Sequence, residues 1–229
     1  MDGEPDIARL ARAIGDSTRI RMLNALMEGR ALTAKELAYG AGIGPATATS
    51  HLRKLENEGL VLVTAQGRHK YFRLASVEVA HLIESLTALA PQPRNATPTA
   101  EHPIRAARFC YDHLAGRLGT RLTEALTARG WLAISDKTYT VTRKGESQFA
   151  AFDIDLPALR RSRRKFAYRC LDWSERRDHL GGALGAAIAH RLIDLGWIEK
   201  SRRSRVITVT NSGRRALVKA FGVSSEHDE

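Results

Sequence analysis

Residues 32–74 read LTAKELAYGAGIGPATATSHLRKLENEGLVLVTAQGRHKYFRL, and this stretch decides the fold of the N-terminal part of the chain. A short helix is expected from Thr33 to about Tyr39, with Leu37 and Ala38 turned inward. Gly40, Gly42 and Gly44 make a turn. Pro45 opens a second helix, where its missing N–H is no loss because first-turn N–H groups have no partner within the helix. Ala48, Leu52 and Leu55 recur at helical spacing and face a core, so Thr47, Thr49, Ser50, His51, Arg53 and Lys54 fall largely on the other faces. Gly59 stops that helix, and two apolar, β-branched runs flank a turn at Gln66-Gly67, the pattern of a β-hairpin. A helix, a tight turn, a polar-faced helix and a basic-tipped hairpin make a winged helix-turn-helix, whose second helix is the kind that enters a DNA major groove.

Composition agrees with such a partner. Among 229 residues, Lys and Arg number 36 against 25 Asp and Glu, a formal net charge of +11. That balance favours a polyanion, although a basic solvated surface would produce it too. Cys110 and Cys170 are the two cysteines, too few for a disulfide scaffold, which points to a reducing cytosol. The opening MDGEPDIARLARAIG lacks the basic and apolar regions of a signal peptide. The most apolar stretch, LGGALGAAIA, is far too short to span a membrane.

Upstream, residues 6–30 should hold two helices. Ile7, Leu10, Ala11 and Ile14 form the apolar stripe of the first. Asp16, Ser17 or Thr18 caps the second, with Ile20, Leu23, Leu26 and Met27 facing inward. The run Ala13-Ile14-Gly15-Asp16-Ser17-Thr18-Arg19-Ile20-Arg21-Met22-Leu23 resembles the L-x-D-x-T-R-x-x-I-L opening of ArsR-type (arsenic-repressor-like) transcriptional regulators. Ser50-His51-Leu52-Arg53-Lys54-Leu55 with Gly59-Leu60-Val61 is similar to their recognition helix and following strand, and Gly67-Arg68 with Tyr71-Phe72-Arg73-Leu74 to their wing. The likeness covers residues 7–90 and implies a homodimeric repressor that leaves its operator when an effector arrives. The chain departs from the family at its usual metal-sensing positions. The helix before the turn carries no thiol, and the helix after the wing offers only His81 and Glu84, which more often are solvated than ligands. Residues 76–90, SVEVAHLIESLTALA, form a broadly apolar helix that the resemblance assigns to the dimer interface.

Residues 91–103, PQPRNATPTAEHP, carry four of the seven prolines and read as a linker. Beyond it the chain repeats itself. Residues 105–149 hold Cys110-Tyr111-Asp112, His113-Leu114-Ala115-Gly116-Arg117-Leu118-Gly119 and Gly130-Trp131; residues 165–221 hold Cys170-Leu171-Asp172, His179-Leu180-Gly181-Gly182-Ala183-Leu184-Gly185 and Gly196-Trp197. The step from His to Trp is eighteen residues in both, and WSERRD is inserted in the second copy. Each copy reads as a trimmed, winged-helix-like unit. The expected whole is a mainly α protein with small β-hairpins (α+β): a DNA-binding and dimerisation domain over 1–90, the linker, and an effector-sensing domain over 104–229.

The paired Cys, Asp and His allow three functional readings. Cys110, His113, Cys170 and His179 can bind a soft metal ion, with Asp112 or Asp172 as ligand or support. The two thiols, made reactive by Arg108 and Arg169, can be oxidised. Or an organic ligand sits in the seam between copies, with Trp131, Trp173 and Trp197 as walls. The plainer reading is a duplicated structural motif of packed cysteines and capping aspartates. The basic runs at 159–165 and 201–205 either meet phosphates or are solvated.

For DNA, Thr47, Thr49, Ser50, His51, Arg53 and Lys54 are the groove-facing candidates, with Lys35, Arg68, His69 and Lys70 on the backbone. Two alternatives stand beside a sequence-specific regulator. One is an architectural protein without sequence preference. The other is an enzyme of the second half, which no Ser-His-Asp order, phosphate loop or carboxylate pair supports.

Overall fold

A computed structural model describes residues 4–91, 102–201 and 204–224. By packing, the chain divides into two units, Met1–Ser85 and Leu86–Glu229. The first begins with α1 (Ile7–Ile14) and α2 (Ser17–Leu26), followed by β1 (Leu32–Thr33), α3 (Ala34–Ala41), α4 (Pro45–Asn57), β2 (Val61–Gln66) and β3 (His69–Leu74). The helix α5 (Val77–Leu89) crosses the boundary between units.

Local chemistry explains these ends. Of the three candidate caps for α2 it is Asp16 that serves, accepting from the Thr18 and Arg19 N–H groups. Thr33 and Glu36 form a reciprocal capping box on α3. Gly42 ends α3 at φ +67°, a conformation that costs a side-chain-bearing residue far more than glycine. The sheet runs β1-β3-β2, all antiparallel, and Gln66 pairs with His69 across the hairpin tip. Met22, Leu23, Leu26, Leu37, Ala48, Leu52, Leu55, Phe72 and Leu74 fill the core. The expected α1 stripe is not part of that core. Ala13 is the buried residue of α1, Ala11 is exposed and Ile7 is 75% exposed. Leu10 and Ile14 are half-buried, so the described residues cover the apolar stripe only in part. Glu84, expected at the surface, is buried, because it shares a face of α5 with Ala80 and Ile83.

The second unit opens with α6 (Pro103–Ala106), so the last residue of the expected linker is helical, while residues 92–101 lie outside the described residues. There follow β4 (Arg108–Cys110), β5 (His113–Ala115), α7 (Gly116–Ala128), β6 (Leu132–Ser135), β7 (Thr138–Val141), α8 (Arg143–Ala151) and α9 (Leu156–Arg161). Then come β8 (Tyr168–Leu171), β9 (Asp178–Gly181), α10 (Gly182–Asp194), β10 (Ile198–Lys200), β11 (Ile207–Val209) and α11 (Asn211–Phe221). Hairpin, helix, hairpin, helix is traversed twice, with α9 between. Neither half has the turn-joined helix pair that precedes the wing in the first unit. Leu114-Ala115 and Leu180-Gly181 lie in strands that run straight into α7 and α10. The insertion of the second half forms the turn between β8 and β9.

The halves cross over: α7 packs on β9 and α10 on β5. Two glycines make this approach fit. A Cβ at Gly119 would stand 2.5 Å from the Leu114 carbonyl oxygen and 3.6 Å from His179 Cβ; at Gly185 it would stand 2.2 Å from the Leu180 oxygen and 3.2 Å from His113 Cβ. Each half thus sets a glycine beside the other half's histidine. One apolar core, including Phe109, Leu118, Leu126, Trp131, Phe149, Leu184, Ile188, Leu192 and Phe221, runs through both.

Candidate nucleic-acid interface and metal centre

On α4, Ala48, Leu52 and Leu55 face the core, and Thr47, Thr49, Ser50, Arg53 and Lys54 are exposed. Thr49 Oγ1 donates to the Pro45 carbonyl at 3.0 Å. His51 is half-buried, its Nδ1 3.3 Å from Arg19 Nη1 and 3.8 Å from Asp16 Oδ1, so its ring braces α4 against the start of α2. Arg19, the arginine of the family-like run, has a structural role that the run alone does not reveal. It is buried, donating from Nη2 to the Arg12 carbonyl at 2.8 Å and from Nε to that of Ala13. The Asp16 carboxyl is held below its ordinary range, first by the Arg19 N–H and, against partial desolvation, by the charges of Arg19 and His51. The family-like Asp-x-x-Arg pair is therefore a clamp on the α1–α2 corner. Lys35, Arg68, His69 and Lys70 are exposed, the last three at the hairpin tip, where His69 stands edge-on to Tyr71.

In the second unit, Cys110 pairs across its hairpin with His113, and Cys170 with His179. Tyr111, at φ +63°, and Asp112 make the tight turn between β4 and β5. The two hairpins bring all four side chains together. The sulfurs are 3.9 Å apart, the imidazole centroids 5.1 Å apart, and the four donor atoms lie within 4.8 Å of one another, every residue buried. Asp112 Oδ1 is 3.2 Å from His113 Nδ1, and Asp172 Oδ2 is 3.5 Å from His179 Nδ1. The Asp112 carboxylate at Nδ1 orients the His113 ring and leaves its Nε2 for a ligand, while Asp172 is a negative charge close to His179. Burial disfavours protonation of His113, but Cys110 and Asp112 outweigh it and push the imidazole up to about 9. Burial, then both cysteines and Asp112, raise the Tyr168 hydroxyl, and that ring stands edge-on to His113.

The aspartates support the cluster and do not join it. Asp172 accepts from Arg108 Nη2 (3.0 Å), Gly116 N (2.7 Å), Ser174 N (2.9 Å), Ser174 Oγ (2.7 Å) and Glu175 N (3.1 Å). Desolvation opposes its charge, yet Arg108 above all holds the carboxyl at about 2. Asp112 pairs with Arg164 as well as His113. Arg108 and Arg169, expected to activate the thiols, hold carboxylates: Arg108 lies wholly buried against Asp172 and under Trp173, and Arg169 holds Asp178 at 2.7 Å. The basic runs divide. Arg160 and Arg164 are paired with carboxylates, and Arg205 is buried, so it does not sit at a tip facing phosphate. Residues 202–203 lie outside the described residues.

Each tryptophan packs against other side chains. Trp131 packs against Phe149 and Phe221, Trp197 against Phe152 and Phe221, and Trp173 covers Arg108. A cavity of about 240 Å³ lies elsewhere in this unit, among Arg117, Leu118, Arg121, Val206, Ile207 and Arg214.

Comparison with known proteins places these features. A family model described as bacterial regulatory protein, arsR family, matches residues 16–62, from the Asp16 cap through α4 into β2. A Bacillus subtilis (strain 168) protein named as the HTH-type transcriptional regulator YdfF is 39% identical over 222 residues, covering 96% of this chain and 98% of that one. The chain belongs to the ArsR family. It is a transcriptional regulator with a winged helix-turn-helix for DNA, and its second unit recurs with the first in YdfF. The Mycobacterium bovis regulator CmtR is 36% identical over 83 residues, 36% of this chain and 70% of that one. A solution structure from Mycobacterium bovis, described as a homodimeric winged helix-turn-helix DNA-binding domain, is 25% identical with a TM-score of 0.35, covering 44% of this chain and 99% of that one. No helix among the described residues is long and apolar enough to cross a membrane.

Proposed function

We propose that this ArsR-family protein is a homodimeric, sequence-specific repressor whose operator binding is controlled by an effector in the second unit. The observation that carries the DNA reading is the division of α4: one face fills the core while Thr47, Ser50, Arg53 and Lys54 stand in solvent beside a hairpin tipped by Arg68, His69 and Lys70. On this reading α4 enters the major groove, Arg53 reads a guanine or holds a phosphate, and Lys35 and the wing sit on the backbone. His51 contributes by bracing α4 against Asp16 and Arg19 more than by reaching a base.

Ile7 on α1 and Leu89 at the end of α5, 75% and 83% exposed, are apolar residues that a second copy would cover. Dimerisation through the 76–90 helix, with α1 contributing, sets two half-sites about one DNA turn apart. An enzymatic reading has the Cys–His cluster as its main foothold, and all four of its residues are buried from any substrate. The test is binding of the purified protein to its own upstream DNA, with an Arg53→Ala, Ser50→Ala variant beside it. Loss of preference for that DNA over random duplex in the variant supports the assignment. Unchanged preference refutes it.

A further inference from the structure

We propose that Cys110, His113, Cys170 and His179 bind one tetrahedral d10 divalent ion, Zn(II) or its softer congener Cd(II), which joins the two halves of the second unit. Its role as the effector site rests on the reading above; its existence as a metal site does not.

Four observations converge. The first is the donor set. Two thiols and two imidazoles are what a borderline-soft tetrahedral ion takes, and four protein donors make a closed site. The second is spacing. Metal–sulfur bonds of about 2.3 Å at the tetrahedral angle separate two sulfurs by about 3.8 Å, and here they are 3.9 Å apart. A disulfide needs about 2.05 Å, so the thiols already stand at the distance of co-ligands. The third is charge. The cluster is buried, where a bare divalent ion would be costly, but two thiolates cancel its charge. The site needs two thiolates and two neutral imidazoles, so the protons held by the thiols and by His113 leave to solvent as the ion enters, and no oxidant is required. The fourth is support. His113 Nε2 is buried with no hydrogen-bond partner among the described residues, while its Nδ1 faces Asp112. Asp172 Oδ2 lies 3.5 Å from His179 Nδ1, a charge contact rather than a hydrogen bond.

The ion takes one Cys and one His from each hairpin. It therefore links β4–β5 to β8–β9, sixty residues apart along the chain. Gly119 and Gly185 allow the close approach that this link needs.

The experiment uses the full-length protein, reduced, stripped with chelator and dialysed, then titrated separately with Zn(II), Cd(II) and Co(II). The expected result is one ion per chain, a thiolate-to-metal absorption band with Cd(II) and Co(II), and the intense visible bands of tetrahedral Co(II). Cys110→Ser and Cys170→Ser should each weaken binding by more than about 100-fold, the upper range for losing an outer hydrogen-bonding partner. Asp112→Asn keeps all four donors and should weaken it by about 10- to 100-fold with the cobalt spectrum retained, so the site remains testable if a cysteine variant does not fold. Octahedral cobalt spectra, or binding unchanged in the double cysteine variant, overturn the proposal. So does a metal-free protein whose thiols are already joined as a disulfide. Operator affinity of stripped and loaded protein is measured alongside. An ion that binds without altering operator affinity leaves the site standing and removes its regulatory role. Operator binding with no ion bound at any concentration removes the site and leaves the DNA reading.

Discussion

Replacing Asp172 with alanine should severely destabilise the second unit. Arg108 and Asp172 are both wholly buried, with Nη2 3.0 Å from Oδ2. Removing the carboxylate strands a guanidinium in a dry site and takes the acceptor from the N–H groups of Gly116, Ser174 and Glu175. Breaking a buried pair by deleting one partner costs about 3–5 kcal/mol. With a urea slope of about 2 kcal/mol per molar, the midpoint should fall by about 2 M. The assay is built into the sequence. All three tryptophans, Trp131, Trp173 and Trp197, lie in the second unit, so their fluorescence follows that unit alone. In an Arg108→Met background no charge is stranded, and the same Asp172→Ala change should cost about 1–3 kcal/mol less. An equal cost in both backgrounds, or a cost below about 1 kcal/mol in the wild type, would show that water reaches Arg108 and that the pair does not hold the hairpins together.

Four further outcomes follow from the geometry. Arg68→Ala should weaken binding to all DNA sequences alike and reduce the slope of log affinity against log salt by about 0.9, one phosphate contact; a change in base preference alone would misplace the wing. Asp16 has its carboxyl lowered in the fold, so its contribution is complete above its unfolded value of 3.8 and is lost as pH falls through the lower folded value. Asp16→Asn should therefore flatten the acid limb of the helical CD change that tryptophan fluorescence does not accompany, and an unchanged limb would refute the clamp. Gly185→Ala, whose Cβ meets the Leu180 oxygen at 2.2 Å, should cost about 1–3 kcal/mol in tryptophan-monitored unfolding. Gly40→Ala, with nothing within 4 Å on α3, should instead stabilise by up to about 1 kcal/mol on the CD signal.

The first unit is legible from sequence because its signals are local. Pro45 at a helix start, Gly42 at a turn and the 48-52-55 apolar series each act within a few residues, and each does in the fold what its chemistry dictates. The α1 stripe misleads for a physical reason: periodicity shows that a face is apolar, not that its own unit covers it. In the second unit the recurrence of Cys, Asp and His in both copies is itself the sign of the cluster, since two equivalent hairpins that pack together bring equivalent side chains together. Three-residue strands such as β5 carry no usable periodicity, so the sequence does not mark them. The partners of Arg108, Arg19 and the tryptophans are hidden in the sequence because each depends on packing between distant segments. Arg108 and Asp172 are 64 residues apart, and His51 meets Arg19 across 32.

The measurement closest to the central claim is the ratio of affinities for the protein's own upstream DNA and a random duplex of equal length, at one fixed near-physiological salt concentration. A sequence-specific regulator reading bases through α4 should prefer its own DNA by about 10³-fold or more. Equal affinity for both would mean that the +11 charge alone drives binding, and that α4 reads nothing.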